Sequence, residues 1–200
     1  MKTLNKISTF KTAFTRISAI VLFIMVGLSA QQVKAQYTLA AGSQIMVAGT
    51  SNLHDWTMDA SKFSCDAKMV VTSGQLKDIT SLVFTLPVKN LKSKESLMDT
   101  RAYKALNADS HDKMTFKLTD ATVVEAQKLV KVTGNLTISG VTKTITIQSN
   151  YVVNADESVS FKGSRAIKMS DFNIKAPSFM MGALKTGDDL TINIVLKLKK

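Results

Sequence analysis

From Leu190 to Lys199 the chain alternates: Leu190, Ile192, Ile194, Leu196 and Leu198 fall on one side, Thr191, Asn193, Lys197 and Lys199 on the other. A repeat of two is the pattern of a β-strand with one dry and one wet face, because successive side chains leave the pleat in opposite directions. The same period returns along the chain. Phe63, Cys65, Ala67, Met69 and Val71 oppose Lys62, Ser64, Asp66 and Lys68. Leu82, Phe84, Leu86 and Val88 form a second apolar row, and Met114, Phe116 and Leu118 a third. Val159, Phe161, Arg165, Ile167 and Met169 share a face with Gly163. Val130, Val132, Leu136 and Ile138, a Ser139-Gly140 turn, and then Ile145 and Ile147 between threonines predict a hairpin. Gly134 inside it suggests a bulge or a barrel corner. So many alternating segments exclude a helix-based fold.

One segment departs from that period. Between Ser93 and Asn107, Leu97-Arg101-Ala105 and Met98-Ala102-Leu106 recur at i, i+4, which predicts an amphipathic helix with Ser93 as N-cap. A single helix among about eight strands predicts an all-β fold: an antiparallel up-and-down barrel with the inserted helix near its mouth as a lid. Alternation does not say which face points inward, and a small outer-membrane barrel would have similar strands. The single tryptophan, Trp56, and three tyrosines are too few for two aromatic girdles, and lysines populate the polar faces. The apolar face is therefore assigned to the interior.

Residues 1–35 are read as a cleaved signal peptide. Lys2, Lys6, Lys11 and Arg16 precede an apolar run from Ile17 to Leu28, and Val33-Lys34-Ala35 offers a cleavage site before Gln36. Residues 36–200 then make one domain of periplasmic or secreted location. The formal charge falls from +11 to +6, because the segment carries five basic residues (Lys2, Lys6, Lys11, Arg16, Lys34) and no acidic one. The remaining lysines are spread along strands rather than clustered with aromatics, which argues against nucleic acid and permits attraction to an anionic membrane surface. Cys65 is the single cysteine, so no internal disulfide forms, and its alternation with Phe63 and Ala67 predicts a buried, inert thiol.

No strong catalytic motif is present: there is no phosphate loop, nucleophile elbow or zinc signature. Two weaker constellations remain. His54 and Asp55 ahead of Trp56 permit an acid–base pair. The other reading is a turn in which Asn52 and Asp55 satisfy local backbone and Trp56 anchors into the core. Asp109-Ser110-His111-Asp112 carries oxygen and nitrogen ligands but reads as a polar loop leaving the helix, so no metal is assigned. Asp188-Asp189 reads as a turn leading into the last strand. Methionines after residue 35, among them Met58, Met69, Met98, Met114, Met169, Met180 and Met181, either fill core gaps or line a surface that moulds to a flexible guest. Composition leaves both open.

The hairpin segment Gly134-Asn135-Leu136-Thr137-Ile138-Ser139-Gly140-Val141-Thr142-Lys143 resembles the "GxLTIxGVTK" signature of the YceI-like family of periplasmic polyisoprenoid-binding proteins. The likeness extends in order across residues 37–199. Leu91-Lys92-Ser93, Met98-Asp99 and Tyr103-Lys104-Ala105-Leu106 are similar to the family's helical insert, and Met114-Thr115-Phe116 to its "xITF" strand. Gly49 to Trp56 resembles a variant first hairpin. Met169-Ser170-Asp171-Phe172-Asn173-Ile174 resembles "R-x-D-F-G-I", with Met169 in place of arginine and Asn173 in place of glycine. Asp188 to Ile192 resembles the closing "DDVxI" strand.

The resemblance implies a lipocalin-like barrel holding a polyisoprenoid or other long apolar lipid in an internal tunnel, without enzymatic activity, cofactor or metal. Residues on or beside the apolar strand faces, Phe84, Met114, Phe116, Phe161, Met169 and Phe172, are the expected lining. Lys94, Arg101 and Lys104 on the helix are the expected mouth or head-group contacts. Alternatives are a barrel enzyme acting on a lipid-like substrate through His54 and Asp55, and a structural surface protein with a filled core. The sequence does not specify an oligomeric state.

Overall fold

β8 (Leu129–Ile138) and β9 (Val141–Val153) pair antiparallel with Ile138 opposite Val141. They are joined by Ser139 and Gly140 at φ 49° and 78°. Two left-handed residues in a two-residue loop match the twist of the flanking strands, which is why this short turn closes the hairpin. Val130, Val132, Leu136 and Ile138 are buried, as their shared face requires. Gly134 is not itself the bulge. The extra residue lies on β7 (Lys113–Val124), where pairing slips between Leu118 and Asp120, opposite Gly134 and Thr133. The glycine is needed because a Cβ there would run into the Phe116 ring and the Lys117 carbonyl.

The computed structural model describes residues 34–60 and 62–200. The expected signal segment lies outside them except for Lys34 and Ala35, and Ala35 opens β1 (Ala35–Leu39). β4 (Ser64–Thr72), β5 (Gln75–Pro87), β10 (Val159–Lys168) and β12 (Leu184–Lys199) complete a ring in the order β1-β4-β5-β7-β8-β9-β10-β12, closed where β12 meets β1. Eight antiparallel strands thus form the barrel. β12 is long enough to serve two partners end to end. Its last turns pair with β1, and Thr186 to Val195 pair with β2 (Gln44–Ser51). β2 continues into β3 (Trp56–Ala60) and β6 (Leu91–Lys92), which extend the wall towards one end.

The two ends differ. At the β1 end Tyr37, Met69, Leu76, Val159 and Leu198 are fully enclosed and make a solid floor. Cys65 lies on this inner wall, and burial pushes its thiol up to about 12, so it stays protonated. Val70 is buried as well as its neighbours on the expected face, because the β4–β5 register shifts on both sides of it. Higher up, Val47, Phe84, Leu190, Ile192 and Ile194 are inward by alternation yet only half-buried. Their remaining exposure is to space inside the barrel.

The helix, α1 (Ser96–Ala105), is shorter than the Ser93–Asn107 span at both ends. Glu95 rather than Ser93 occupies the N-cap position, without a side-chain cap. Ser93 is instead held from inside the helix: its N–H donates to the Asp99 carboxylate at 2.6 Å and its hydroxyl at 2.8 Å. Lys92 adds an ion pair to the same carboxylate at 3.4 Å. Leu97, expected on the apolar face, is exposed, and Met98, Ala102, Ala105 and Leu106 pack against the core.

Candidate functional site

A cavity of about 280 Å³ fills the open half of the barrel. Its inner wall is Ile45, Met58, Leu86, Leu136, Ile138 and Ile167, contributed by the inward rows of five different strands. Met98, Ala102 and Ala105 of α1, with Leu106 just after it, form part of the rim, so the helix lies across the mouth. The rest of the rim is the β2–β3 turn, the segment from Phe172 to Phe179 that ends in β11 (Ser178–Phe179), and the first residues of β12. A second cavity of about 120 Å³ continues towards the floor, between Leu82, Val130, Val132, Phe161 and Leu196. Ile45, Phe84, Leu136 and Ile192 line both, so only this collar of side chains divides the interior into two chambers. An interior with this much space does not fit the filled-core alternative.

All six expected lining residues border this space. Phe84, Met114, Met169 and Phe172 line the upper chamber, and Phe84, Phe116 and Phe161 the lower. Of the three expected head-group cations, only Arg101 reaches the rim, where its guanidinium lies 3.7 Å over the Phe179 ring. Lys94 and Lys104 are exposed and border neither chamber. Of the methionines, Met58, Met98, Met114 and Met169 face the upper chamber, Met69 is enclosed away from both, and Met181 is exposed.

The rim is fastened by contacts that alternation did not reveal. Asn52 does not satisfy its own turn. Its side chain donates to the Ala183 carbonyl at 2.7 Å and accepts from the Lys185 N–H at 2.9 Å, tying the β2–β3 turn to the start of β12. Trp56 donates from Nε1 to the Thr50 carbonyl at 3.0 Å and presents its ring to the chamber. Asp188 and Asp189 lie within β12, at its irregularity against β2, rather than in a turn ahead of it. Asp188 accepts from the Ser170 hydroxyl at 2.6 Å and the Ser170 N–H at 2.8 Å. Those two bonds hold its carboxyl below the usual range and fix the 3-10 turn Ser170–Phe172, which seats Phe172 in the chamber.

The His54–Asp55 pair is not assembled. His54 Nδ1 lies 2.7 Å from the Asp55 backbone carbonyl, not its carboxylate, and both side chains are exposed. An imidazole oriented by a carbonyl at the rim lacks the carboxylate partner that the enzymatic alternative requires. Asp109 faces Lys89 at 3.2 Å, while the His111 ring packs at Gly140. Among the described residues no three His, Cys, Asp or Glu side chains come together around a common point.

An eight-stranded barrel with a helix at its mouth and an apolar chamber is the structural context that the YceI-like hairpin signature demands, and the YceI-like domain family matches residues 30–198. The chain belongs to the YceI-like family. The solved structure of BcnA from Burkholderia cenocepacia superposes with a TM-score of 0.67 at 19% identity, covering 80% of this chain and 98% of that one. A polyisoprenoid binding domain from Saccharophagus degradans, implicated in plant cell wall breakdown, gives 0.62 at 13%, covering 84% and 99%. A UPF0312 protein of Pseudomonas aeruginosa is 35% identical over 75 residues, which is 35% of this chain and 38% of that relative. The chain therefore matches well under half the length of this curated relative. Within the YceI-like frame, Asn173 takes the family glycine's place at φ 57°, a left-handed conformation that asparagine tolerates better than other side chains. Met169, at the arginine position, is buried against the chamber.

Proposed function

We propose that this YceI-like protein is a non-enzymatic lipid-binding protein that holds a polyisoprenoid or similar long apolar chain in the barrel interior. The observation that carries the proposal is the pair of chambers meeting at the Ile45, Phe84, Leu136 and Ile192 collar, apolar nearly throughout and open at the helix. Burial contributes about 0.8 kcal/mol per methylene, so each five-carbon unit offers about 4 kcal/mol before the costs of association and chain ordering. The binding domain from Saccharophagus degradans, of the same fold, supports this choice of guest. The test is a length series on delipidated protein, from geraniol to geranylgeraniol. Affinity is expected to rise at least tenfold per added isoprene unit until the chambers are full; a flat series contradicts burial of the chain.

The protein is proposed to act after export, as a single domain beginning at Gln36. Exposed Leu53, Leu97 and Met181 flank the mouth-forming segments, with exposed Lys104 on α1 and exposed Lys94 just ahead of it. That combination supports transient contact with an anionic membrane surface. Charge reversal at Lys94 and Lys104 is expected to weaken binding to anionic vesicles at low salt and to have little effect at high salt, since screening shortens such attraction to about 10 Å at 0.1 M. Equal binding by both proteins at low salt removes the membrane from the proposal.

A further inference from the structure

The lower chamber has an apolar wall, and Ser149 and Arg165 are the two polar residue types among those that line it. Register places them side by side. Gly163 on β10 pairs with Ser149 on β9, and Arg165 stands two residues further along β10 on the same inward face. The last β9–β10 pair is Gln148 with Ser164. Beyond it the strands part, and β10 continues to Lys168 against β12 alone. The barrel wall is therefore split from Ile147 and Arg165 towards the mouth. Higher in the split, the Ser170–Phe172 turn packs on β9, with Phe172 and Ile174 buried. At the lower lip Arg165 both lines the chamber and is exposed to solvent.

Arg165 forms no ion pair among the described residues, whereas nearby Lys168 is taken up by Asp189 at 3.4 Å. At Gly163 a Cβ would collide with the Ser149 hydroxyl and, at 2.6 Å, with the Gln148 carbonyl. The glycine thus lets the Ser149 hydroxyl lie close against β10, and Arg165 takes the diagonal position in the register. A guanidinium presents a fixed fork of N–H donors that matches a phosphate or carboxylate, and a hydroxyl adds one more. Arg101, the cation at the main mouth, already has its guanidinium stacked on Phe179.

We propose that Arg165 and Ser149 form an anion site at a side port of the barrel, which takes the phosphate or carboxylate head group of a lipid whose chain lies in the chambers. The proposal rests on the lipid-binding function above and adds the head-group class and its position. The test compares farnesyl phosphate with farnesol on delipidated protein, with the affinity ratio read within each variant. The wild-type protein is expected to prefer the phosphate by about tenfold. The ratio should fall towards one in Arg165→Gln, be partly kept in Arg165→Lys, and drop in Ser149→Ala. A ratio retained in Arg165→Gln, or lost in Arg101→Gln instead, overturns the side-port site. So does inorganic phosphate that competes as well as farnesyl phosphate itself, because the anion would then bind without its chain. Farnesol binding with no phosphate preference removes this inference alone; binding of neither probe removes the lipid-binding function as well.

Discussion

Ile192 and Asn193 are adjacent in β12, and the barrel puts them in different media. Ile192 belongs to the collar between the chambers, whereas Asn193 leaves the opposite face of the strand. Ile192→Lys must either bury an ammonium among apolar side chains or distort the wall to hydrate it, and removal of an ion from water without a partner is strongly unfavourable. Asn193→Lys places its charge outside. The gap in unfolding free energy is expected to be on the order of 3 kcal/mol, read from urea midpoints of the two variants. Equal midpoints mean that the face assignment is wrong. The direction of Ile192 was legible in the sequence because alternation encodes direction. That it is only half-buried was not legible, since alternation does not reveal whether the facing rows meet or leave a chamber. Arg165 shows the same limit: its inward register was visible, and the split wall that exposes it was not.

At the scale of elements, the periodic pieces were readable and their fastenings were not. The helix announced itself by i, i+4 spacing, but its N-terminal tether is Asp99 reaching back to Ser93, a loop geometry that a simple cap rule places the wrong way round. The rim segment from Phe172 to Thr186 has no period to read, and Asn52 binds Ala183 and Lys185 across more than 130 positions of chain. Burial pushes the Asp99 carboxyl up, but the hydrogen bonds from Ser93 and the Lys92 contact outweigh it and hold the group below its ordinary 3.8. A lowered folded pKa means the stabilisation is present above the unfolded value and is lost as pH falls through the folded one. Amide exchange in α1 is therefore expected to accelerate below about pH 4 relative to the barrel strands. Asp99→Ala should loosen the helix at neutral pH, at a cost of about 1–2 kcal/mol, and remove that acid sensitivity. An unchanged acid response in Asp99→Ala assigns the transition to another group.

For the whole molecule, the sequence carried the fold class because a barrel repeats one rule in every strand, and the hairpin signature carried the family. Ring closure came from tertiary registers: β12 divides its edge between β1 and β2, and nothing local to β12 says where the exchange falls. The chambers are the consequence of that closure, with a solid floor at Tyr37, Leu76 and Leu198 and a mouth crossed by α1. The central claim is that this space exists to hold one long apolar chain. Its most direct measurement is native mass spectrometry of the protein expressed from its full sequence and purified without detergent, followed by organic extraction of the same sample. The predicted result is a protein mass beginning at Gln36 plus one equivalent of an extractable isoprenoid or similar lipid, absent from an Ile192→Trp variant that folds. A folded wild-type protein at its bare polypeptide mass, with no lipid in the extract and no uptake when lipid is supplied, contradicts the account.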